Sequence, residues 1–225
     1  MIPLKDDNPT RGFPFVTLCI IAANLAVFVW ELLLPADASK TLIASLGVTP
    51  LQVTQIQALD AARLLRIGAT LFTAMFLHGS IPHVAMNMLY LWIFGNNIED
   101  VMGHGRFLTY YLTCGVLASF SQVAASPHSK VPMIGASGAI SGVLGAYLVM
   151  FPAARVLTLI FLVFFVRVVS VPAVIVLGVW FLLQLLNAGQ LAPGGVAVFA
   201  HIGGFVSGVV LVAPFRRRRP RQSLF

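Results

Sequence analysis

The chain has 225 residues, of which 59% are hydrophobic and only 9% charged, and its formal net charge is +7. Soluble domains carry about 25% charged residues, so this composition predicts a membrane protein and excludes an ordinary soluble enzyme. The basic residues lie at the ends of apolar stretches and in the C-terminal tail, not in a patch interleaved with aromatic residues. We therefore expect a lipid bilayer, and no nucleic acid, as a partner.

Six apolar stretches predict membrane-spanning helices, because a bilayer core about 30 Å thick needs roughly 20 residues per helix. They cover residues 13–34, 82–98, 107–123, 137–151, 171–186 and 196–214. We expect an all-α polytopic membrane protein in which residues 1–225 form a single membrane domain. The linker over residues 35–69 is long for a featureless loop, so we expect short interfacial helices in it.

Residues 156–166 are wholly apolar but too few to cross a bilayer, so we expect an interfacial or re-entrant segment there. Leaving this segment out gives six spans with both termini on one side. Lys and Arg concentrate on the cytoplasmic side of membrane proteins. With this assignment ten of the fourteen basic residues are cytoplasmic, namely Lys5, Arg11, Arg106, Arg155, Arg167, Arg216, Arg217, Arg218, Arg219 and Arg221. Both termini are therefore expected in the cytoplasm.

Two polar residues stand out inside the apolar stretches. Ser137 lies in the glycine-rich run 135–145 (GASGAISGVLG), and His201 lies in the run 200–204 (AHIGG). A serine costs little in a membrane helix, and small residues spaced by four also favour close helix packing, so Ser137 alone has a structural explanation. An ionisable residue at membrane depth is costly and indicates function. A serine and a histidine that meet there suggest a nucleophile and its general base.

Helix rise predicts a common depth for three of these polar residues. Counting 1.5 Å per residue from the inner end of each span puts Ser137 roughly 21 Å, His201 roughly 20 Å and His83 roughly 24 Å away. Each is then roughly 6–10 Å below the outer surface. Asn87 shares a helix face with His83, and together with unpaired amides at the start of the fourth span they would stabilise an oxyanion. Interhelical hydrogen bonding also explains Asn87, and a loop or interfacial role explains His78 as well as a catalytic one.

Acidic residues are missing where a catalytic triad needs one. No Asp or Glu follows Asp100, and Glu99 and Asp100 lie at the inner end of the second span. We therefore predict a Ser–His dyad, and the same absence argues against an α/β-hydrolase. Neither Cys19 nor Cys114 has the spacing or context of a metal site, so no metal or other cofactor is expected. The polar residues Asn24 and Gln122 are expected to hydrogen-bond between helices.

These residues resemble the rhomboid family of intramembrane serine proteases. The resemblance is carried by residues 78–87 (HGSIPHVAMN), Glu99 through Gly103 to Arg106, residues 135–138 (GASG) and residues 200–204 (AHIGG). It implies a six-helix rhomboid-like bundle with a catalytic core over residues 70–213 and a basic cytoplasmic tail over residues 214–225. The site residues that it implies are Ser137 as nucleophile, His201 as base, and His83, Asn87 and the Ser137 amide as the oxyanion hole.

The resemblance also implies a reaction and a substrate class. The protein would be an endopeptidase that cleaves single-span membrane proteins in or near their transmembrane segment, with substrates entering past the fifth span. Two positions depart from many members of the family: Leu65-Arg66 replaces Trp-Arg, and Ser141 stands where an aromatic ring stacks on the histidine.

Two alternatives come from other functional classes. One is a non-catalytic rhomboid-like protein that binds transmembrane helices in membrane-protein quality control. The other is a transporter or channel. The sequence shows no evident inverted repeat, which argues against this alternative. The tail arginines and the absence of a transit-like leader lead us to expect an integral protein of a bacterial plasma membrane, with the site towards the outer face.

Overall fold

Helices make up most of the chain in the computed structural model, which describes residues 1–55, 61–162, 165–188 and 197–216. The helices in these ranges are α1 (Phe15–Leu33), α2 (Ala36–Leu46), α3 (Pro50–Thr54), α4 (Ala61–Thr73), α5 (Ile81–Tyr90), α6 (Asn96–Met102), α7 (His104–Ala125), α8 (Ser137–Met150), α9 (Ala173–Ala188) and α10 (Val198–Phe215). A π-helical turn over Leu91–Gly95 joins α5 to α6 without a break, so these two form one continuous helix.

Each of the six predicted spans contains a helix: α1, α5 with α6, α7, α8, α9 and α10. By length and composition, α1, α7 and α10 are each able to cross a membrane. A further candidate is the pair formed by Ala61–Phe76, which is α4 with the 3-10 turn that follows it, and Ile81–Met102; the two are bent by 85°. The apolar helices α8 and α9 are shorter, with 14 and 16 residues. The prediction of a mostly helical membrane protein is confirmed.

The long linker of the prediction is structured. α2, α3 and α4 occupy the described part of residues 35–69, so the prediction of short helices in this region is confirmed there. Asp60, which belongs to this linker, lies outside the described residues. The predicted basic tail lies outside them from residue 217 onward.

A small β-sheet shows that the prediction of an all-α fold is wrong in one region. β2 (Arg155–Leu162) and β3 (Phe165–Pro172) form an antiparallel hairpin where an interfacial or re-entrant segment was expected. The N-terminal strand β1 (Ile2–Asp6) pairs antiparallel with β2, which gives the order β1-β2-β3. The hairpin is rich in Val and Phe, which favour strands, and a short apolar run cannot be assigned to helix or strand from its periodicity.

Backbone contact between α8 and α10 sets the geometry of the site. Gly138 and Gly142 on α8 face Gly204 and Gly208 on α10, and a Cβ on either of the latter two would overlap a carbonyl oxygen of α8. The hydroxyl of Tyr110 on α7 lies 2.8 Å from the Gly142 carbonyl oxygen and 3.0 Å from that of Gly208. Small residues permit this close approach, and the tyrosine bridges the two helices.

Candidate active site

Ser137 and His201 meet between α8 and α10. Oγ of Ser137 lies 2.8 Å from Nε2 of His201. Ser137 is the first residue of α8, so its hydroxyl projects from the first helical turn. The preceding turn contains Gly135 with φ +115°, a backbone conformation that favours glycine. The distance lies within the range of about 2.6–3.2 Å over which a base activates a nucleophile.

The other imidazole nitrogen also has a partner, which comes from α9. Nδ1 of His201 lies 3.0 Å from Oε1 of Gln184. Trp180, one turn earlier on the same helix, places its ring centroid 6.1 Å from that of the imidazole. Within the described ranges no carboxylate bonds to His201, and an amide occupies the position that a carboxylate takes in a triad.

Gln184 was missed by sequence reasoning although a signal for it was present. It is a polar residue in an otherwise apolar stretch, and the argument that singled out His201 applies to it. Only an acid was considered as the residue that orients the base, because hydrolase triads use one, and the lack of an acid led to the prediction of a dyad. Ser141, which stands where an aromatic ring was expected, is buried and donates to the Ser137 carbonyl oxygen at 2.6 Å. The aromatic contact to the imidazole comes instead from Trp180.

His83 and Asn87 face the turn that precedes Ser137. A Cβ on Gly135 would lie 2.7 Å from Nε2 of His83 and 3.7 Å from Nδ2 of Asn87. Asn87 is buried, and its Nδ2 has no hydrogen-bond partner among the described residues. An unpaired buried donor is costly, so this amide is available to an acceptor that enters the site. The first-turn amides of α8 are further donors, because a helix leaves them without an intrahelical partner.

One cavity of about 710 Å³ connects these groups. Its lining includes all four predicted site residues, Ser137, His201, His83 and Asn87. Apolar side chains supply most of the remaining wall, among them Met86, Val131, Ile134, Ile140, Leu144 and Trp180. Binding clefts have volumes of roughly 300–1,000 Å³, and an apolar wall with a few convergent polar groups is typical of them. In the part of the chain that the structure describes, no group of three His, Cys, Asp or Glu residues is arranged to hold a metal ion.

His78 lies behind this cavity wall. Its side chain is 2% exposed, and its ring centroid is 4.9 Å from that of His83. The backbone N–H of His78 donates to the Glu31 carboxylate at 3.1 Å. Neither of its ring nitrogens has a partner within the described ranges. The structure thus brings His78 against His83, and His78 is not itself part of the cavity lining that includes Ser137.

The two polar residues that were expected between helices differ in their contacts. Oε1 of Gln122 accepts hydrogen bonds from the backbone N–H groups of Phe199 at 3.0 Å and Ala200 at 3.3 Å. This amide links α7 to the first turn of α10, next to His201, so the prediction is confirmed. Asn24 differs, because its Nδ2 donates to the carbonyl of Ile20 in its own helix.

Comparison with known proteins identifies similar chains. The family model of the rhomboid domain matches residues 66–218. The chain is 33% identical over 144 residues to rhomboid protease GluP of Bacillus subtilis (strain 168), covering 64% of this chain and 25% of that protein. It is 34% identical over 151 residues to the mitochondrial presenilin-associated rhomboid-like protein of Homo sapiens, covering 65% and 35%. It is 29% identical over 218 residues to RHOMBOID-like protein 4 of Arabidopsis thaliana, covering 88% and 52%. The chain thus spans between about a quarter and about half of the length of these relatives.

Proposed function

The chain belongs to the rhomboid family, and on this premise we propose that it is an intramembrane serine endopeptidase that hydrolyses single-span membrane proteins in or near their transmembrane segment. The observation that carries the proposal is the hydrogen bond between Ser137 Oγ and His201 Nε2. Both groups share one cavity with the Asn87 amide, whose Nδ2 has no partner in the part of the chain that the structure describes. A relative that is named a rhomboid protease adds support.

Acylation uses the Ser137–His201 pair. Nε2 of His201 accepts the hydroxyl proton while Oγ of Ser137 attacks the carbonyl carbon of the scissile peptide bond. The new C–O bond produces a tetrahedral oxyanion. His201 then donates the proton to the leaving nitrogen as the C–N bond breaks, which releases an amine product and leaves an acyl ester on Ser137.

Deacylation repeats the proton transfers with water. Nε2 of His201 accepts a proton from a water molecule whose oxygen attacks the ester carbonyl. When the second tetrahedral intermediate collapses, the proton returns to Oγ of Ser137 and the carboxyl product leaves. One water is consumed for each peptide bond that is cleaved.

The oxyanion of both steps is assigned to Asn87, His83 and the first-turn amides of α8. This role is supported by Nδ2 of Asn87, which bonds to none of the described residues, and by the position of both α5 side chains around Gly135. The N-terminal end of α8 adds the positive end of a helix dipole. One preorganised donor of this kind typically contributes about 3 kcal/mol to transition-state stabilisation.

The proposed topology has six spans, with both termini in the cytoplasm and the site near the outer face. Three contacts support the proposal that the segments with the basic residues lie at the same end of the helix bundle. β1 pairs with β2, the Gly12 N–H donates to the Asp100 carboxylate at 2.9 Å, and Nη1 of Arg106 donates to the Arg216 carbonyl at 3.4 Å. Ser137 is at the other end of α8, about 20 Å away along the helix.

A bacterial plasma membrane is the proposed location. Basic residues concentrate at one end of the proposed bundle, as the positive-inside rule requires for a cytoplasmic face. One relative is bacterial and another is mitochondrial by name, so fractionation of the source cells decides between these membranes.

The test of the proposed function is cleavage of a single-span reporter by the full chain in lipid vesicles. Wild type should cut the reporter and react with a fluorophosphonate probe, whereas Ser137→Ala and His201→Ala should do neither. Ser119→Ala is the matched control, because that hydroxyl bonds to the Gly115 carbonyl of its own helix. A folded wild type that neither cuts nor reacts would overturn the proposal, and reporter binding without cleavage would favour the non-catalytic alternative.

A further inference from the structure

The contact between Gln184 and His201 is the starting point. Gln184 reaches Nδ1 of the imidazole from α9, while Ser137 reaches Nε2 from α8. The imidazole is thus held at both nitrogens by side chains from two different helices. The Trp180 ring lies beside it at 6.1 Å and 40° to its plane, on the same side of α9 as Gln184. Rotation of the His201 ring would break both hydrogen bonds.

The chemistry of the pair determines which nitrogen of His201 carries hydrogen. A neutral imidazole has one N–H and one acceptor nitrogen. Nε2 must be the acceptor if it is to take the proton of Ser137, so the hydrogen belongs on Nδ1. The Gln184 carbonyl oxygen is an acceptor at 3.0 Å from Nδ1, which matches this tautomer. The opposite tautomer presents an N–H to the Ser137 hydroxyl and cannot act as its base.

Gln184 lies in the half of α9 that the protein does not bury. The buried residues of α9 are Ala173, Val176 and Leu177 near its start, whereas Leu182, Leu183, Leu185 and Leu186 are exposed. An amide in such a lipid-facing segment is costly unless it has a hydrogen-bond partner. His201 is that partner, so the bond serves both the helix and the base.

Few titratable groups face this imidazole. The cavity lining contains no Asp, Glu, Lys or Arg among the described residues, and the titratable residues that share the lining with His201 are His83 and Tyr90 of α5. Because no carboxylate follows Asp100 in the sequence, α8, α9 and α10 have no acid to offer. The neutral amide of Gln184 therefore occupies the position from which a carboxylate orients the histidine in a triad.

We propose that Gln184 is a positioning residue for the general base, which holds His201 in the Nδ1–H tautomer and in line with Ser137. This inference rests on the proposed function, in which His201 acts as that base. The resulting catalytic unit is Ser137–His201–Gln184, with an amide in place of the acid of a triad.

The experiment compares wild type, Gln184→Met, Gln184→Glu and Asn187→Leu as full-length proteins in one lipid system. Methionine keeps the volume of glutamine without an acceptor, and glutamate restores an acceptor. Asn187→Leu is the matched control, because it removes an amide from an exposed position on the same helix. The measurements are kcat and KM for reporter cleavage across pH, and the ¹⁵N spectrum of labelled histidine with His201 assigned from His201→Ala.

Gln184→Met should lower kcat about three- to tenfold, the equivalent of one neutral hydrogen bond, with KM changed less than about twofold. Its ¹⁵N spectrum should show His201 as a mixture of tautomers. Gln184→Glu should regain kcat at alkaline pH and move the acid limb of the profile to higher pH, because a carboxylate stabilises the imidazolium. Asn187→Leu should match wild type in every measurement.

These measurements separate a failure of the positioning role from a failure of the proposed function. Wild-type kcat and an unchanged pH profile in Gln184→Met, or a pure Nδ1–H signal in that variant, would overturn the positioning role. Wild type without Ser137-dependent cleavage would overturn the proposed function, and the ¹⁵N spectra would still decide whether Gln184 sets the tautomer.

Discussion

Gly204 of α10 lies so close to Gly138 of α8 that a Cβ on Gly204 would overlap the Gly138 carbonyl oxygen. Ser137 precedes one of these glycines, and His201 lies one turn before the other, so their contact sets the distance between hydroxyl and imidazole. We expect Gly204→Ala to separate the helices and to lower the free energy of unfolding by about 1–3 kcal/mol. Reporter cleavage per folded molecule should fall as well. Thermal unfolding in detergent and kcat on the same preparation measure the two effects.

Gly178→Ala on α9 is the control for this substitution. A Cβ at Gly178 would meet no atom of the described residues within 4 Å, so stability and cleavage should stay at wild-type values. If Gly204→Ala is as stable and as active as Gly178→Ala, the two backbones are not packed as tightly as the structure indicates.

The amide of Asn87, whose Nδ2 lacks a partner among the residues that the structure describes, gives a kinetic prediction. If Nδ2 of Asn87 binds the oxyanion, Asn87→Ala should lower kcat by about 10²–10³-fold and leave KM nearly unchanged, because the interaction forms in the transition state. The measurement is steady-state cleavage of the reporter. Asn187→Ala, the same substitution at an exposed site, should have no effect. An Asn87→Ala protein that is less stable but turns over normally would favour the interhelical alternative.

The proposed topology predicts which side chains a membrane-impermeant thiol reagent can reach. Lys5 in β1 and Lys130 before α8 are both exposed, and the topology puts them on opposite sides of the membrane. With Cys19 and Cys114 replaced by Ala, Lys130→Cys should be labelled in intact bacterial cells. Lys5→Cys should be labelled only after the cells are opened. The reverse pattern would place the site on the cytoplasmic side.

Hydropathy and the cost of polar groups in lipid predict the helical part of this molecule well. Each of the six predicted spans contains a helix, because a membrane helix satisfies its own backbone and needs no distant partner. The same cost argument singled out Ser137 and His201, which the structure brings within 2.8 Å of each other.

The misses have a different physical origin. The β2–β3 hairpin is completed by β1, whose residues are about 150 positions earlier, and no local pattern encodes such a pairing. Gln184 was overlooked because only an acid was considered as an orienting partner for His201. The contact between Gln184 of α9 and His201 of α10 depends on how the two helices are rotated against each other. Neither feature follows from the period of apolar residues along one segment.

Glu99 connects α6 to the start of α1. Its two carboxylate oxygens accept the N–H groups of Val16 and Thr17, each at 2.8 Å, and the Thr17 hydroxyl at 2.7 Å. These amides are first-turn donors of α1, and a carboxylate also interacts favourably with the positive end of a helix. We expect Glu99→Gln to lower the free energy of unfolding by about 1.5–3 kcal/mol, because an amide N–H₂ would face a backbone donor. Chemical unfolding in detergent measures it.

Asp100→Asn is the comparison for that variant. The Asp100 carboxylate also accepts backbone N–H groups, from Arg11 at 3.3 Å and Gly12 at 2.9 Å, but these bonds are exposed to solvent. We expect Asp100→Asn to lower the free energy of unfolding by less than about 1 kcal/mol. Equal losses for the two variants would show that burial of Glu99 adds nothing.

Asp6 of β1 gives a prediction about pH. The carboxylate is buried and accepts hydrogen bonds from the Tyr147 hydroxyl at 2.6 Å and from Nδ2 of Asn97 at 2.8 Å. Burial raises the pKa of Asp6, and it outweighs the hydrogen bond from Tyr147, which lowers the pKa. The folded protein therefore holds a proton on Asp6 at pH values where the unfolded chain has released it. Such a group contributes stability that is fully present below the unfolded pKa of about 3.9 and is lost as pH rises through the folded pKa.

We expect the free energy of unfolding of wild type to fall relative to that of Asp6→Asn as pH rises above about 4, because the asparagine has no proton to lose. Taking the difference between the two proteins at each pH removes the contribution of every other carboxylate. Denaturant titrations in detergent between about pH 4 and pH 8 supply these differences. A difference between wild type and Asp6→Asn that is constant with pH, or that changes in favour of wild type as pH rises, would contradict the raised pKa. In that case the hydrogen bonds from Tyr147 and Asn97 would outweigh burial, and β1 would be held to the bundle by an ionised carboxylate.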